Sequence, residues 1–183
     1  MYTHWIKGHI DPFWNIEHRD LDYKNEPFNN SADINKWKGM GFTHTKYTGD
    51  MYDMRNPIPK WFDIERIKLM FNFDHISWSF YRMRTGVVLP EHIDTFNRFK
   101  ELYDCKDKTI VRALIMLEDW KQGHYLDLDG LNMDTWKAGD YVVWEENVPH
   151  TAANIGKQDR YTLQLTGLIK ERLIDWEYSQ TTK

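Results

Sequence analysis

One cysteine, Cys105, stands among 183 residues, so no internal disulfide can form and the fold is held without covalent staples. Such usage fits a reducing compartment, and the thiol itself reads as a partly buried spectator. No run of about 18 apolar residues occurs, which argues against a helical membrane span. The start, Met1-Tyr2-Thr3-His4-Trp5-Ile6-Lys7, lacks the basic-then-apolar layout of a signal peptide, and the expected location is the cytoplasm. Positive charge is not in excess either: 24 Lys and Arg against 28 Asp and Glu give a net charge of −4. Phosphate backbones therefore meet no global attraction, and a nucleic-acid partner is not expected. Internal repeats, low-complexity tracts and domain-separating linkers are missing, so a single domain over residues 1–183 is the default reading for this length. What the chain has in plenty is aromatic residues, at 15% with nine tryptophans, which points to an aromatic-rich core and pocket.

Hydrophobic periodicity divides the chain. Residues 1–58 alternate aromatic and polar groups between Gly, Asn and Pro breaks and read as short strands and loops. After Asn56-Pro57-Ile58-Pro59, the residues Trp61, Ile64, Ile67, Leu69, Met70 and Phe71 predict an amphipathic helix over 60–71 with proline at its entrance. From Ile76 the period becomes two, with Ile76, Trp78, Phe80, Arg82 and Arg84 on one face and Ser77, Ser79, Tyr81 and Met83 on the other. Further strands are expected near 86–95, 109–117, 123–128, 131–136, 140–145, 150–155 and 160–168, a spacing that suggests a β-sandwich or jelly roll. The stretch Leu168 to Tyr178 reads as a short docking helix. The expected layout is covering strands and a helix over 1–75, a core over 76–168 and a helical tail over 169–183.

The chemistry lies in three separated fragments. His92-Ile93-Asp94 would place an imidazole and a carboxylate on one side of a strand, about 7 Å apart along the backbone. His150 lies 56 residues beyond Asp94 and must come from a different strand, opening one that follows Gly139-Asp140, an apolar run and a polar turn. Two imidazoles and one carboxylate can hold one face of a ferrous ion and leave the opposite positions open. Arg160 and Thr162 then alternate onto one face of a strand, and a guanidinium fork beside a hydroxyl suits a carboxylate.

His-x-Asp, Gly-Asp before an apolar strand, Pro149-His150-Thr151-Ala152-Ala153-Asn154, and Arg160-x-Thr162 together resemble the 2-oxoglutarate/Fe(II)-dependent dioxygenase superfamily over roughly residues 76–168. The resemblance implies a mainly β fold, a double-stranded β-helix (jelly-roll) core with a few flanking helices. It implies Fe(II) held by His92, Asp94 and His150 and 2-oxoglutarate gripped by Arg160 and Thr162. O2 would be the second cosubstrate, and hydroxylation of an unactivated C–H bond would accompany release of succinate and CO2. A narrower similarity is to the aspartyl/asparaginyl and free-proline hydroxylase branch. It rests on Leu89-Pro90-Glu91-His92-Ile93-Asp94 and on Arg112 in the next long strand, which is read as a cofactor-pocket residue. The implied substrate is a small molecule, a peptide or a protein side chain. Arg82, Arg84, Trp78 and Asn154 are the candidate substrate-binding residues.

Two other function classes compete. A cupin-type jelly-roll metalloenzyme would keep the three ligands without needing Arg160 and Thr162, and a non-catalytic binding module would be expected to lose a ligand. Several other clusters are discounted. His4, His9 and Asp11 lie in a segment without clear period. Asp127-Leu128-Asp129-Gly130 lacks calcium-loop spacing and reads as a strand turn. His124 reads as a loop histidine and His75 as a helix-to-strand junction.

Overall fold

The computed structural model describes residues 4–28, 30–43, 47–170, 172, 173, 175 and 176. Its first elements are β1 (Trp5–His9), β2 (Lys24–Pro27), α1 (Ser31–Gly39), β3 (Thr48–Asp53) and α2 (Ile64–Phe71). Eight further strands follow: β4 (Asp74–Met83), β5 (Val87–His92), β6 (Thr109–Met116), β7 (His124–Leu128), β8 (Leu131–Met133), β9 (Asp140–Glu145), β10 (His150–Asn154) and β11 (Arg160–Ile169), with α3 (Asn97–Leu102) between β5 and β6. A seven-stranded sheet in the order β1-β9-β6-β11-β4-β3-β2 faces a four-stranded sheet in the order β5-β10-β7-β8. The fold is mainly β, a double-stranded β-helix core with a few flanking helices. β1, β2 and β3 lengthen the larger sheet at both edges.

The two-residue period of β4 has a physical cause: each face of the larger sheet meets a different apolar layer. Trp78 and Phe80 join an outer core with Phe62, Ile67, Phe71, Leu163 and Leu165, over which α2 packs. Tyr81 and Met83 point the other way, into the interior between the sheets, with Leu114, Met116, Leu126, Leu128, Val142 and Trp144. A one-residue slip of β4 would exchange these sets, so the register is strongly fixed. The β7–β8 hairpin turns through Asp129 (φ 36°) and Gly130 (φ 86°), the left-handed pair that a two-residue turn requires. This geometry accounts for the Asp-Leu-Asp-Gly run. Gly139 (φ 90°) precedes β9, and a Cβ there would fall 2.0 Å from the Ile10 carbonyl oxygen.

Several expectations need correction. The N-terminal stretch contains a helix, α1, capped by the Asn30 side chain, which accepts from Ala32 N and Asp33 N. α2 begins at Ile64 with Asp63 as its cap rather than at Lys60, and it ends at left-handed Asn72. β8 stops at Met133, short of the strand expected to reach Trp136. Leu168 and Ile169 continue β11 instead of starting a tail helix. Leu173 and Trp176 are buried in the outer core, and Ile174 and Tyr178 lie outside the described residues.

His124 is not in a loop: it opens β7, is buried, and donates from Nε2 to the Gln158 carbonyl oxygen at 2.9 Å. Burial pushes its pKa below the ordinary value. The unfolded chain then takes up the proton first as acid is added. Its contribution to stability is therefore complete above a pH of about 6.5 and is lost as the pH falls through the depressed folded value. A His124→Gln protein is expected to lose stability less steeply between about pH 7 and pH 5, measured by urea denaturation. An unchanged slope would remove His124 as a source of acid sensitivity.

Candidate metal centre

β5 and β10 are antiparallel neighbours, and their register sets His150 opposite His92, with ring centroids 4.3 Å apart. A bulge between His150 and Ala152 separates this pair from the rest of the ladder, a device that re-aims a side chain. Asp94 was expected on the same strand as His92, but β5 ends at His92 and Asp94 lies just past it. Ile93 between them is exposed, and the Asp94 carboxylate turns inward, with Oδ2 4.0 Å from His150 Nε2. One ligand atom from each of His92, Asp94 and His150 lies within 4.8 Å of the others, so the three could hold a metal ion.

Each imidazole is oriented by its own chain. His92 Nδ1 lies 2.8 Å from the Pro90 carbonyl oxygen, and His150 Nδ1 lies 3.0 Å from that of Val148. A carbonyl oxygen only accepts, so Nδ1 carries the proton and Nε2 keeps the lone pair that a metal needs. Burial pushes the His150 pKa down to about 4, opposed in part by Asp94, and its ring is neutral at physiological pH. For Asp94 burial favours the neutral acid, but the Arg112 guanidinium outweighs it and holds the carboxyl below its usual range. The donor set is thus two imidazole nitrogens and one carboxylate.

Arg112, expected in the cofactor pocket, donates from Nε to Asp94 Oδ2 at 3.2 Å and lies with Cζ 5.0 Å above the Phe96 ring. This partner explains how an otherwise apolar strand carries a guanidinium. Aromatic groups wall the other side. Phe28 and Trp37 meet the His92 ring edge-on at 5.2 and 5.7 Å, and Trp144 packs 5.3 Å from His150. Trp37 is the one buried residue of α1, and its Nε1 donates to the Glu91 carbonyl oxygen, one residue before His92. The sequence reading missed Trp37 because α1 has no apolar stripe; its one local signal is the cap at Asn30. Trp37→Phe is expected to remove that hydrogen bond at a cost of about 0.5–1.5 kcal/mol. It is also expected to weaken Co(II) binding by about tenfold, read by titration. Unchanged Co(II) affinity would make Trp37 a packing group only.

A second polar pair lies deeper between the sheets. Arg160 and Thr162 are both buried at the start of β11, where Arg160 pairs with Met83 and Thr162 with Tyr81 and Met116. Arg160 reaches across the interior to donate from Nη1 to the Tyr125 carbonyl oxygen of β7 at 2.7 Å. Arg160 Nε and Thr162 Oγ1 are buried without a hydrogen-bond partner among the described residues. Burial pushes the Arg160 pKa down to about 10, which leaves it charged at neutral pH.

The remaining candidates lie elsewhere. Trp78 is in the outer core, on the β4 face opposite Tyr81 and Met83. Arg82 and Arg84 both bind the buried carboxylate of Asp50. Asn154 is buried and acts as a turn clamp: its Nδ2 donates to the carbonyl oxygens of Met83 and Gln158, and its Oδ1 accepts from Gly156 N. The fold thus brings none of these four to the triad. His4 and His9 pair with Glu145 and Asp140 at the larger sheet's edge.

No family model and no curated protein sequence matches this chain. Among solved structures it is similar to a prolyl-4-hydroxylase from Pseudomonas putida, at 17% identity over 90% of this chain and 91% of that one, with a TM-score of 0.53. It is also similar to a predicted oxalate decarboxylase from Thermotoga maritima, at 14% identity over 81% and 95% of the two chains, with a TM-score of 0.42. A cupin domain from Schizosaccharomyces pombe matches at 10% identity over 66% of this chain and 61% of that one, with a TM-score of 0.40. The first of these likenesses bears on the fold; the two lower scores carry no argument of their own. No described helix is long and apolar enough to cross a membrane.

Proposed function

We propose that this chain is an Fe(II)- and 2-oxoglutarate-dependent dioxygenase that hydroxylates an unactivated C–H bond of an amino acid, peptide or protein side chain. The observation that carries this reading is the pair of buried, unfilled groups, Arg160 Nε and Thr162 Oγ1. A guanidinium taken out of water without full partners costs several kcal/mol, so it calls for a ligand. One carboxylate oxygen pair would satisfy both groups at once. A cupin-type metal enzyme without 2-oxoglutarate has no use for them.

Iron fits the triad on the chemistry of its donors. Two imidazole nitrogens and one carboxylate oxygen make the facial set that leaves coordination positions open. When bound, iron and 2-oxoglutarate supply the activation of O2, the cosubstrate leaving as succinate and CO2 while the substrate gains one oxygen atom. The protein supplies the rest. Pro90 and Val148 fix the two imidazoles through their carbonyl oxygens, and Arg112 keeps Asp94 ionised. Phe28, Trp37 and Trp144 exclude water from the ligand rings. Arg160 stays cationic in a dry interior, where its attraction for a dianion is strongest.

The similar P. putida structure is that of a prolyl-4-hydroxylase, which agrees with C–H hydroxylation. The Leu89–Asp94 segment with Arg112 supports a place near the aspartyl/asparaginyl and free-proline hydroxylase branch. A screen of free amino acids and short peptides for stimulated succinate formation tests the reading. At least one substrate is expected to raise succinate output and to gain the mass of one oxygen. Failure of the Fe(II)-loaded protein to bind or consume 2-oxoglutarate contradicts it.

A further inference from the structure

We propose that a cleft of about 230 Å³ beside β3, away from the metal centre, binds a small oxyanion, a carboxylate or a phosphate. It is lined by Asn25, Thr48, Gly49, Asp50, Arg82 and Arg84, with Val87 at its inner edge. Val87 opens β5 and His92 closes it, so the cleft and the triad are separated by about 17 Å of extended strand.

The charge arrangement carries the proposal. Asp50 is 1% exposed and is the one carboxylate among the lining residues. Its Oδ1 accepts from Asn25 Nδ2 at 2.8 Å. Its Oδ2 accepts from Arg82, through Nε at 2.8 Å and Nη2 at 2.7 Å, and also from Arg84 Nε. Two guanidinium groups thus converge on one oxygen atom. One would neutralise the carboxylate, and the second leaves a positive charge without a counterion among the described residues. Ion pairing alone would need a single arginine here.

The geometry favours a ligand over a surface pair. Arg82 is fixed in place by its two bonds to Asp50 and by the Tyr23 ring, 4.8 Å from its Cζ, so little freedom is lost on binding. Arg84 is anchored only through Nε; its terminal nitrogens make no hydrogen bond among the described residues, and its side chain is 56% exposed at the cleft. A planar fork with unfilled donors is matched to a carboxylate or phosphate edge. Gly49, which also lines the cleft, is required by the close approach of the Tyr81 ring, since a Cβ there would fall 2.1 Å from it.

Calorimetric titration of the full chain with inorganic phosphate and, separately, with N-acetylglycine tests this at constant ionic strength. At least one probe is expected to bind saturably, and the one that binds identifies the source as a phosphate or a carboxylate. Arg84→Gln, a change at an exposed side chain, is expected to weaken that binding by about tenfold or more while Co(II) affinity stays unchanged. Lys68→Gln, which removes an equal charge from the exposed Lys68–Glu65 pair on α2, is expected to leave it unaltered. Absence of saturable binding by both probes overturns the proposal. So does an equal loss in the two variants, which would signal general electrostatic attraction.

Discussion

Replacing Arg160 by leucine is expected to stabilise the ligand-free chain and at the same time to abolish tight 2-oxoglutarate binding. Arg160 is 4% exposed, carries its charge between the sheets, and has one hydrogen bond among the described residues, to the Tyr125 carbonyl oxygen. Its Nε is unfilled, and no carboxylate pairs with it among the described residues. Exchanging a buried charge for an apolar side chain is worth about 1–4 kcal/mol in buried ionic sites. The orphaned Tyr125 carbonyl offsets about 1 kcal/mol of that. Leucine is preferred to alanine because it leaves a smaller cavity, which would otherwise mask the gain.

The opposite sign is expected for the ligand. Losing one partner of a desolvated charge pair costs about 2–5 kcal/mol, a fall of roughly 30-fold to several thousand-fold in affinity. Thermal denaturation with and without 2-oxoglutarate reads both effects. The ligand is expected to raise the melting temperature of the parent chain and to leave the variant unmoved. A destabilised Arg160→Leu protein that still bound 2-oxoglutarate normally would remove the assignment.

His150→Ala is expected to lose the metal. Changes to groups that merely orient a ligand cost about 10- to 100-fold in metal affinity, so deleting a ligand is expected to exceed about 100-fold. Arg160 and Thr162 lie on the facing sheet and keep their places, which separates this variant from Arg160→Leu. His124→Ala is the matched control, because His124 is also buried in the smaller sheet but lies outside the triad. Co(II) titration is expected to show near-parental affinity for His124→Ala and a loss for His150→Ala. Retention of Co(II) by His150→Ala within a few-fold would exclude His150 as a ligand.

How much of this was legible in the sequence depended on whether a residue's role left a period. β4 was readable because its alternate residues enter two separate apolar layers, and β6, β9 and β11 followed for the same reason. His92 and His150 were readable as convergent because a metal ligand set is a short list of residue types. α1 was not readable, since a helix that buries only Trp37 has no apolar stripe. The Asp50 pairing with Arg82 and Arg84 joins residues 32 and 34 positions apart, and such an ion pair has no local signature. The same limit hid Glu118, which gathers His18, Arg19 and Lys121 and ties the N-terminal segment to the end of β6. Arg112 is legible as a pocket residue, but only the fold shows that its anion is Asp94.

Anaerobic addition of 2-oxoglutarate to the Fe(II)-loaded chain tests the central claim most directly. A visible charge-transfer band is predicted that requires both components and is lost in His150→Ala. A spectrum unchanged by 2-oxoglutarate, in protein shown to hold one Fe(II), would contradict the account.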